Sequence, residues 1–406
     1  MSGESITGAL ATVSAYRDTV RYRVSAPGYV TQTLYALRGP SAPREYYLVP
    51  IDADRIRARA WTQPDAPRLI QLQFDGMTSA VFERLLAEGQ LPAFRALLDR
   101  GTHSMFASCC GLLSAPVWTT INTGLGPEEH GIDDFLKQNP ITGEASEVTA
   151  ADIRAPRLWD MAQSQGLRTM VSSVLFPDEG VADPVDDARA GDATRAVRVF
   201  RDEIRARRPD LVVFYDTVAD SKGHQWWKAY EPEIFRRRNW PLNPESIAFH
   251  AEEIPQAYRE LDMWTAAALA VSGPQTVIMV LSDHGHEAAP GLSPLRVEPA
   301  VFEEIAAGFG AGISACPSMG ALELALCADP AVDASAAADT LAQARLPGRR
   351  PLFVKVRHRG EPGYDSGGVD ARAVRVWLNA RDLAHAFDVG GNVTIAGRNI
   401  PLPDFF

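Results

Sequence analysis

Five side chains could bind a hard or borderline cation, and they fall in three short clusters. Asp75 lies in LQFDGM, Asp220 and His224 in DSKGH, and Asp283 with His284 in LSDHGHEAAPG. A carboxylate beside an imidazole, followed by a glycine that lets the backbone turn, makes a ligand pair. Asp220 and His224 are four residues apart, so one helical turn or a tight loop points both the same way. Each cluster alone has a plainer reading: a capped turn at Asp283, a polar loop at Asp220, an ordinary strand-end Asp-Gly at Asp75. Together the five donors suit a pair of divalent ions, zinc first and manganese second. Two ions about 4 Å apart would clamp the attacking and leaving oxygens of an in-line phosphoryl displacement, and one of them would acidify a hydroxyl set against it. Asp216 lies nearer its strand and is the weaker candidate. FDG also begins a phosphoaspartate motif, but Met77 stands where that chemistry needs a second aspartate.

A nucleophile would have to come from elsewhere. The stretch SAPVWTTINTGLGPEEHG, residues 114–131, holds four hydroxyls, on Ser114, Thr119, Thr120 and Thr123. Residue type alone does not choose among them. No G-x-S-x-G elbow is present to suggest a serine hydrolase.

These clusters need a scaffold that brings them together. From Arg68 the chain alternates apolar strands with helices. RLIQLQF, RTMVSSVLF, DLVVFYD and QTVIMVLSD read as strands. SAVFERLLAEG, PAFRALLDRG, PRLWDMAQSQG, DATRAVRVFRDEIRARR and IPQAYRELDMWTAAALAVSG read as helices. That rhythm predicts an α/β fold with a mostly parallel central sheet and helices on both faces. Three strands run into an aspartate, and in such sheets ligands bind beyond the carboxyl ends of the strands. Asp75, Asp220 and Asp283 are therefore expected at one edge. Residues 1–65 read as a β-rich lead-in, 66–290 as the α/β core, and 291–406 as a small α+β insert with closing strands. The aromatic and basic stretch HQWWKAYEPEIFRRRNWPLNPES reads as a lid over the site or as a packed loop.

The 406 residues carry 40 basic and 51 acidic side chains, a net charge of −11. This argues against a nucleic-acid polymer as partner, but not against a small phosphorylated substrate, because a metal inverts the local field. Hydrophobic residues at 46% and charged residues at 22% are globular values. Cys109, Cys110, Cys316 and Cys327 form no C-x-x-C pair and read as reduced, mostly buried thiols. MSGESITGAL has no basic n-region or apolar core, and no 18-residue apolar run occurs. No signal peptide, no membrane partner and a cytoplasmic location are the corresponding expectations. Nothing in the sequence bears on the oligomeric state.

SAPVWTTINTGLGPEEHGI, FDGM, DSKGH and SDHG, in that order, together with LWDMAQSQGLRTMVSSVLFP, resemble the alkaline phosphatase superfamily, and within it the type I phosphodiesterase/nucleotide pyrophosphatase branch. The resemblance covers about Arg68 to Gly285. It implies an alkaline-phosphatase-like fold and a hydrolase of phosphodiester or pyrophosphate bonds with two divalent ions. It makes Ser114 the nucleophile, forming a covalent phospho-enzyme, and leaves Thr119, Thr120 and Thr123 to pack or cap, with His130 bracing the exit turn. Asp75, Asp283, His284 and Ser114 would hold one metal; Asp220 and His224 would hold the other. The second metal needs a further histidine, expected from the C-terminal part, with His358, His385 and the neighbouring His286 as candidates. Relatives of this branch place an asparagine three residues after the nucleophile, where this chain has Val117; Lys222 is the alternative source of positive charge. The absence of an arginine beside Ser114 favours diesters over monoesters. A non-catalytic metal- or nucleotide-binding relative, or a phosphomonoesterase or phosphoglycerate-mutase-like enzyme, is the alternative.

Overall fold

The computed structural model describes residues 10–16, 19–37, 48–105, 108, 113–138, 145–189, 193–237, 242–288, 314–316, 323–327, 334–358, 373–378, 392–395 and 398–401. Alternating β-formers at the start pair as an antiparallel sheet of β1 (Leu10–Tyr16), β2 (Thr19–Ser25) and β3 (Gln32–Leu37). The short helix α1 (Ala53–Arg57) follows, its first turn capped by the Asp52 carboxylate. Then come β4 (Leu69–Phe74), α2 (Ser79–Ala87), α3 (Pro92–Leu98), α4 (Ser114–Thr123), α5 (Pro127–His130) and the antiparallel pair β5 (Leu136–Gln138) and β6 (Ala145–Glu147). The alternation resumes with α6 (Leu158–Ser164), β7 (Thr169–Ser172), α7 (Pro184–Arg189), α8 (Ala193–Arg207) and β8 (Leu211–Asp216). After it lie α9 (Val218–Tyr230), α10 (Pro232–Arg237), α11 (Pro244–His250), α12 (Glu253–Val271) and β9 (Val277–Leu281). The C-terminal part contains β10 (Ser314–Cys316), β11 (Glu323–Cys327), α13 (Ala334–Ala342), β12 (Phe353–His358), β13 (Ala373–Leu378), β14 (Asn392–Ile395) and β15 (Arg398–Pro401).

The chain forms two compact units. One comprises Met1–Ser108 with Pro156–Ala288, the other Cys109–Ala155 with Ala289–Phe406.

In the first unit β7, β8, β4 and β9 form a wholly parallel sheet in that order. All four carboxyl ends therefore lie at one edge. The inner strands are apolar because both faces are covered: every residue of β8 is buried, as are Ile70, Leu72 and Phe74 of β4. β9 lies at the sheet edge, and its Val277 and Met279 are exposed. Helix α12 is buried along almost its whole length, and its Trp264 ring lies 4.2 Å from Phe214 and 5.7 Å from Phe200. Asp262 on α12 accepts hydrogen bonds from the Ala93 and Phe94 amides and so caps α3, while burial pushes its carboxyl up to about 7. The N-terminal sheet is tied to the same helices: Arg21 Nη1 and the Tyr35 hydroxyl donate to the Phe249 carbonyl, and the Thr33 amide donates to Gln256.

The described part of the aromatic stretch 224–246 is mostly helix rather than loop, in α9, α10 and the start of α11, and residues 238–241 lie outside the described residues. The Trp227 side chain belongs to the core, and Trp226 stacks on His250 with ring centroids 3.5 Å apart. Aromatic residues there bury helix faces. In the second unit β10, β11, β13 and β12 form an antiparallel sheet, and β14 pairs with β15.

Candidate metal centre

Asp75 directly follows β4, and its backbone continues the sheet ladder. Its amide donates to the Asp216 carbonyl at 2.9 Å, and its carbonyl accepts from the Asp220 amide at 3.1 Å. The end of one strand thus fixes the first turn of α9, the helix that carries Asp220 and, one turn on, His224. The Asp75 carboxylate is buried and accepts a short hydrogen bond from the Tyr215 hydroxyl. Burial and the nearby carboxylates push that hydroxyl far up, so it remains a donor.

The loop after β9 brings the third cluster to the same place. Ser282 braces it, accepting from the Met77 amide at 2.9 Å and donating to the His284 carbonyl at 2.8 Å. Asp283 Oδ1 accepts from the Gly76 amide at 3.3 Å. His284 Nδ1 lies 3.1 Å from the Gly285 carbonyl. A carbonyl only accepts, so Nδ1 carries the proton and Nε2 the lone pair. His284 Nε2 lies 3.4 Å from Asp75 Oδ1, 3.5 Å from Asp283 Oδ2 and 3.8 Å from Asp220 Oδ1.

A sixth side chain joins them. His286 Nε2 is 3.1 Å from Asp220 Oδ1, and His224 Nε2 is 3.3 Å from the same oxygen. Burial raises the Asp220 carboxyl, but hydrogen bonds and charge from the two imidazoles more than reverse this and leave it below the ordinary carboxylate range. His224 is raised in turn, chiefly by its hydrogen bond to Asp220.

Two donor groups result, each with its ligand atoms within 4.8 Å of one another: Asp75, Asp220 and His284, and Asp220, His224 and His286. The spacing tests their fit to a cation. Metal–ligand bonds of about 2.0–2.1 Å in tetrahedral geometry hold neighbouring ligand atoms about 3.3 Å apart. A charge-assisted N–H···O bond is shorter, about 2.7–2.9 Å. The carboxylate–imidazole separations, 3.1–3.5 Å for four pairs and 3.8 Å for His284–Asp220, are all longer than the second value and scatter about the first. Three carboxylates and three imidazoles are also the donor chemistry of a divalent ion.

Gly76 makes this approach possible. Its φ is +68°, and a Cβ there would lie 2.6 Å from Asp220 Cα and 2.8 Å from His286 Nε2. Backbone cannot yield cheaply at that distance, and φ is unfavourable for any other residue. Gly76→Ala is expected to destabilise the first unit by about 2 kcal/mol or more. In thermal unfolding of the metal-free protein this corresponds to a loss of about 5 °C; an unchanged Tm would remove Gly76 from this role.

The remaining sequence candidates lie elsewhere. Asp216 is fully buried and accepts from Arg189 at 2.6 Å and from the Val218 amide at 2.7 Å, so it anchors the start of α9. Lys222 was expected to supply charge to a substrate or to be solvated. Instead its Nζ lies 2.8 Å from Glu253, which is 3% exposed, because a buried carboxylate needs a partner. Ser114 is in the second unit, the partly exposed first residue of α4 after the N-cap Leu113. Thr119 and Thr123 donate to carbonyls one turn back, those of Ala115 and Thr119. His130 is fully buried, and its Nδ1 accepts from the Ile132 amide at 3.1 Å, so Nε2–H donates to the Thr120 hydroxyl at 3.0 Å. Burial lowers its pKa to about 4, and with both nitrogens engaged it braces the turn. His358 is on β12 of the second unit, opposite Val374; His385 is outside the described residues.

Residues 69–318 match the family described as type I phosphodiesterase / nucleotide pyrophosphatase. The chain belongs to that family. Phosphodiesterases of this type are metal-dependent hydrolases, and the donor groups above are the candidate ligands here. Solved structures agree at the level of fold. Phosphonoacetate hydrolase from Sinorhizobium meliloti 1021, in complex with phosphonoacetate, is 16% identical with a TM-score of 0.55, over 82% of this chain and 83% of that one. An inactive form of murine ectonucleotide pyrophosphatase / phosphodiesterase 5, in complex with AMP, is 17% identical with a TM-score of 0.50, over 77% and 79%. No curated protein sequence matches the chain. Among the described residues, no helix is long and apolar enough to cross a membrane.

Proposed function

We propose that this phosphodiesterase cleaves phosphodiester or pyrophosphate bonds of a small phosphorylated substrate through a covalent phospho-enzyme on Ser114. The observation that carries the reading is the meeting of Asp75, Asp220, His224, Asp283, His284 and His286 at the carboxyl edge of one parallel sheet. Two divalent ions held there, zinc before manganese, would supply Lewis-acid activation of the attacking and leaving oxygens. Asp75, Asp283 and His284 would hold one ion and Asp220 and His224 the other, with Ser114 supplying the nucleophile. Ser114 Oγ loses its proton and attacks phosphorus, the bond to the leaving oxygen breaks and that oxygen takes up a proton, and water then cleaves the Ser114 O–P bond, restoring the hydroxyl and releasing the phosphorylated product. The N-terminal turn of α4 favours a phosphoryl anion beside Ser114, because its amides and helix dipole are positive there. The Tyr215 hydroxyl holds the Asp75 carboxylate in place, and the Gly285 carbonyl holds the His284 tautomer.

A diester or pyrophosphate suits this chain better than a monoester. A monoester dianion calls for an added cation, and Lys222 is already engaged by Glu253. With the zinc-loaded protein, kcat/KM for bis-p-nitrophenyl phosphate is expected to exceed that for p-nitrophenyl phosphate at least tenfold, with Ser114→Ala inactive on both. Equal rates, or a faster monoester, would reject the diester assignment.

A further inference from the structure

The second donor group is closed by a residue that neither the family match nor the strand-end reading assigns. Resting on the two-ion reading above, we infer that His286 is the third protein ligand of the Asp220–His224 ion. Three independent features support it.

The first is spacing. His286 Nε2 and His224 Nε2 stand 3.1 Å and 3.3 Å from one oxygen of Asp220, and the three ligand atoms lie within 4.8 Å of one another. These are separations that a single tetrahedral ion imposes, about 3.3 Å.

The second is room. Gly76 and Gly223 both face the His286 ring; a Cβ on Gly76 would lie 2.8 Å from Nε2, and one on Gly223 would lie 2.7 Å from Cδ2. Two glycines from two different segments leave the volume that this ring fills, and Gly223 does so from inside a helix, where glycine is disfavoured relative to alanine.

The third is support behind the ring. The His286 amide donates to Thr78 Oγ1 at 2.7 Å, and Thr78 Oγ1 donates to the His286 carbonyl at 3.3 Å. The Thr78 amide in turn donates to the Tyr258 hydroxyl of the buried helix α12 at 2.6 Å. The ring packs edge-on to His224 at 4.8 Å. A ligand held at backbone and ring has little rotamer freedom left to lose on binding.

The test is metal stoichiometry of the full chain after chelation, reloading with excess zinc and removal of unbound metal, measured by native mass spectrometry. Wild type is expected to hold two zinc ions, His286→Ala one, and both His358→Ala and His385→Ala two. Gly223→Ala keeps the imidazole but crowds its ring, and is expected to weaken the second zinc about tenfold or more in a chelator competition. Wild type holding fewer than two ions overturns the two-ion reading, and this inference with it. Wild type holding two while His286→Ala also holds two, or loses both, overturns the His286 assignment alone. So does a drop to one in His358→Ala or His385→Ala.

Discussion

Ser114→Ala is expected to lower kcat for a bis-aryl phosphate by about a thousandfold or more, while the protein still binds two zinc ions. Removing the atom that forms the covalent intermediate deletes the two-step route, and a thousandfold corresponds to about 4 kcal/mol of lost transition-state stabilisation. The fold should tolerate the change. Ser114 is the first residue of α4, helix propensity favours alanine, and the capping geometry belongs to Leu113. Rapid quench of the wild type with a labelled substrate should trap label on Ser114, and none in the variant. Activity within tenfold of wild type would end the nucleophile assignment and leave the metal centre untouched. Thr119→Ala and Thr123→Ala are the internal controls, since those hydroxyls bond to their own helix.

Asp220→Ala is expected to have an effect of similar size by a different route. Asp220 is the one carboxylate common to both donor groups, with its Oδ1 within 3.8 Å of three imidazole nitrogens. Deleting it removes the only anionic ligand from the His224–His286 group and leaves two neutral donors. Zinc stoichiometry should fall below two, and kcat/KM should fall about a thousandfold or more, in contrast to Ser114→Ala, which keeps its metal. Asp216→Asn separates position from chemistry: it lies four residues away and is paired with Arg189, so its damage should appear in stability before metal content. Two zinc ions and near-normal turnover in Asp220→Ala would show that the carboxylate has no part in the centre.

Much of the scaffold was legible in the sequence. The apolar runs at 69–74, 211–216 and 277–281, separated by amphipathic stretches, dictate parallel strands, the first two of them buried. Parallel strands put their carboxyl ends at one edge whatever the intervening loops do. Asp75, Asp220 and Asp283 could therefore be placed near one another before any coordinates, because hydrophobic periodicity is a local property and sheet polarity follows from it. The choice of Asp220 over Asp216 was also legible, since a residue at the last strand position is buried by the layer above it.

His286 was visible but undecided. His-Gly-His has the period of an extended chain, which would put both rings on one side. Whether the second ring meets Asp220 depends on two glycines some 60 to 210 positions away and on a threonine whose hydroxyl holds the His286 backbone and whose amide is anchored to a buried helix. The pairing of Lys222 and the packing of Trp226 and Trp227 are hidden from the sequence for the same reason. A lysine beside a motif looks available until a buried Glu253 is found opposite it, and the inward faces of Trp226 and Trp227 depend on the helices packed against them. The sequence by itself determined the order of strands and helices, the acidic residues at the strand ends and the shared edge, since these depend on patterns within a dozen residues. Only the tertiary structure decided which imidazole closes the second donor group and which cation is already matched, because those outcomes rest on burial and close approach between segments far apart in the chain.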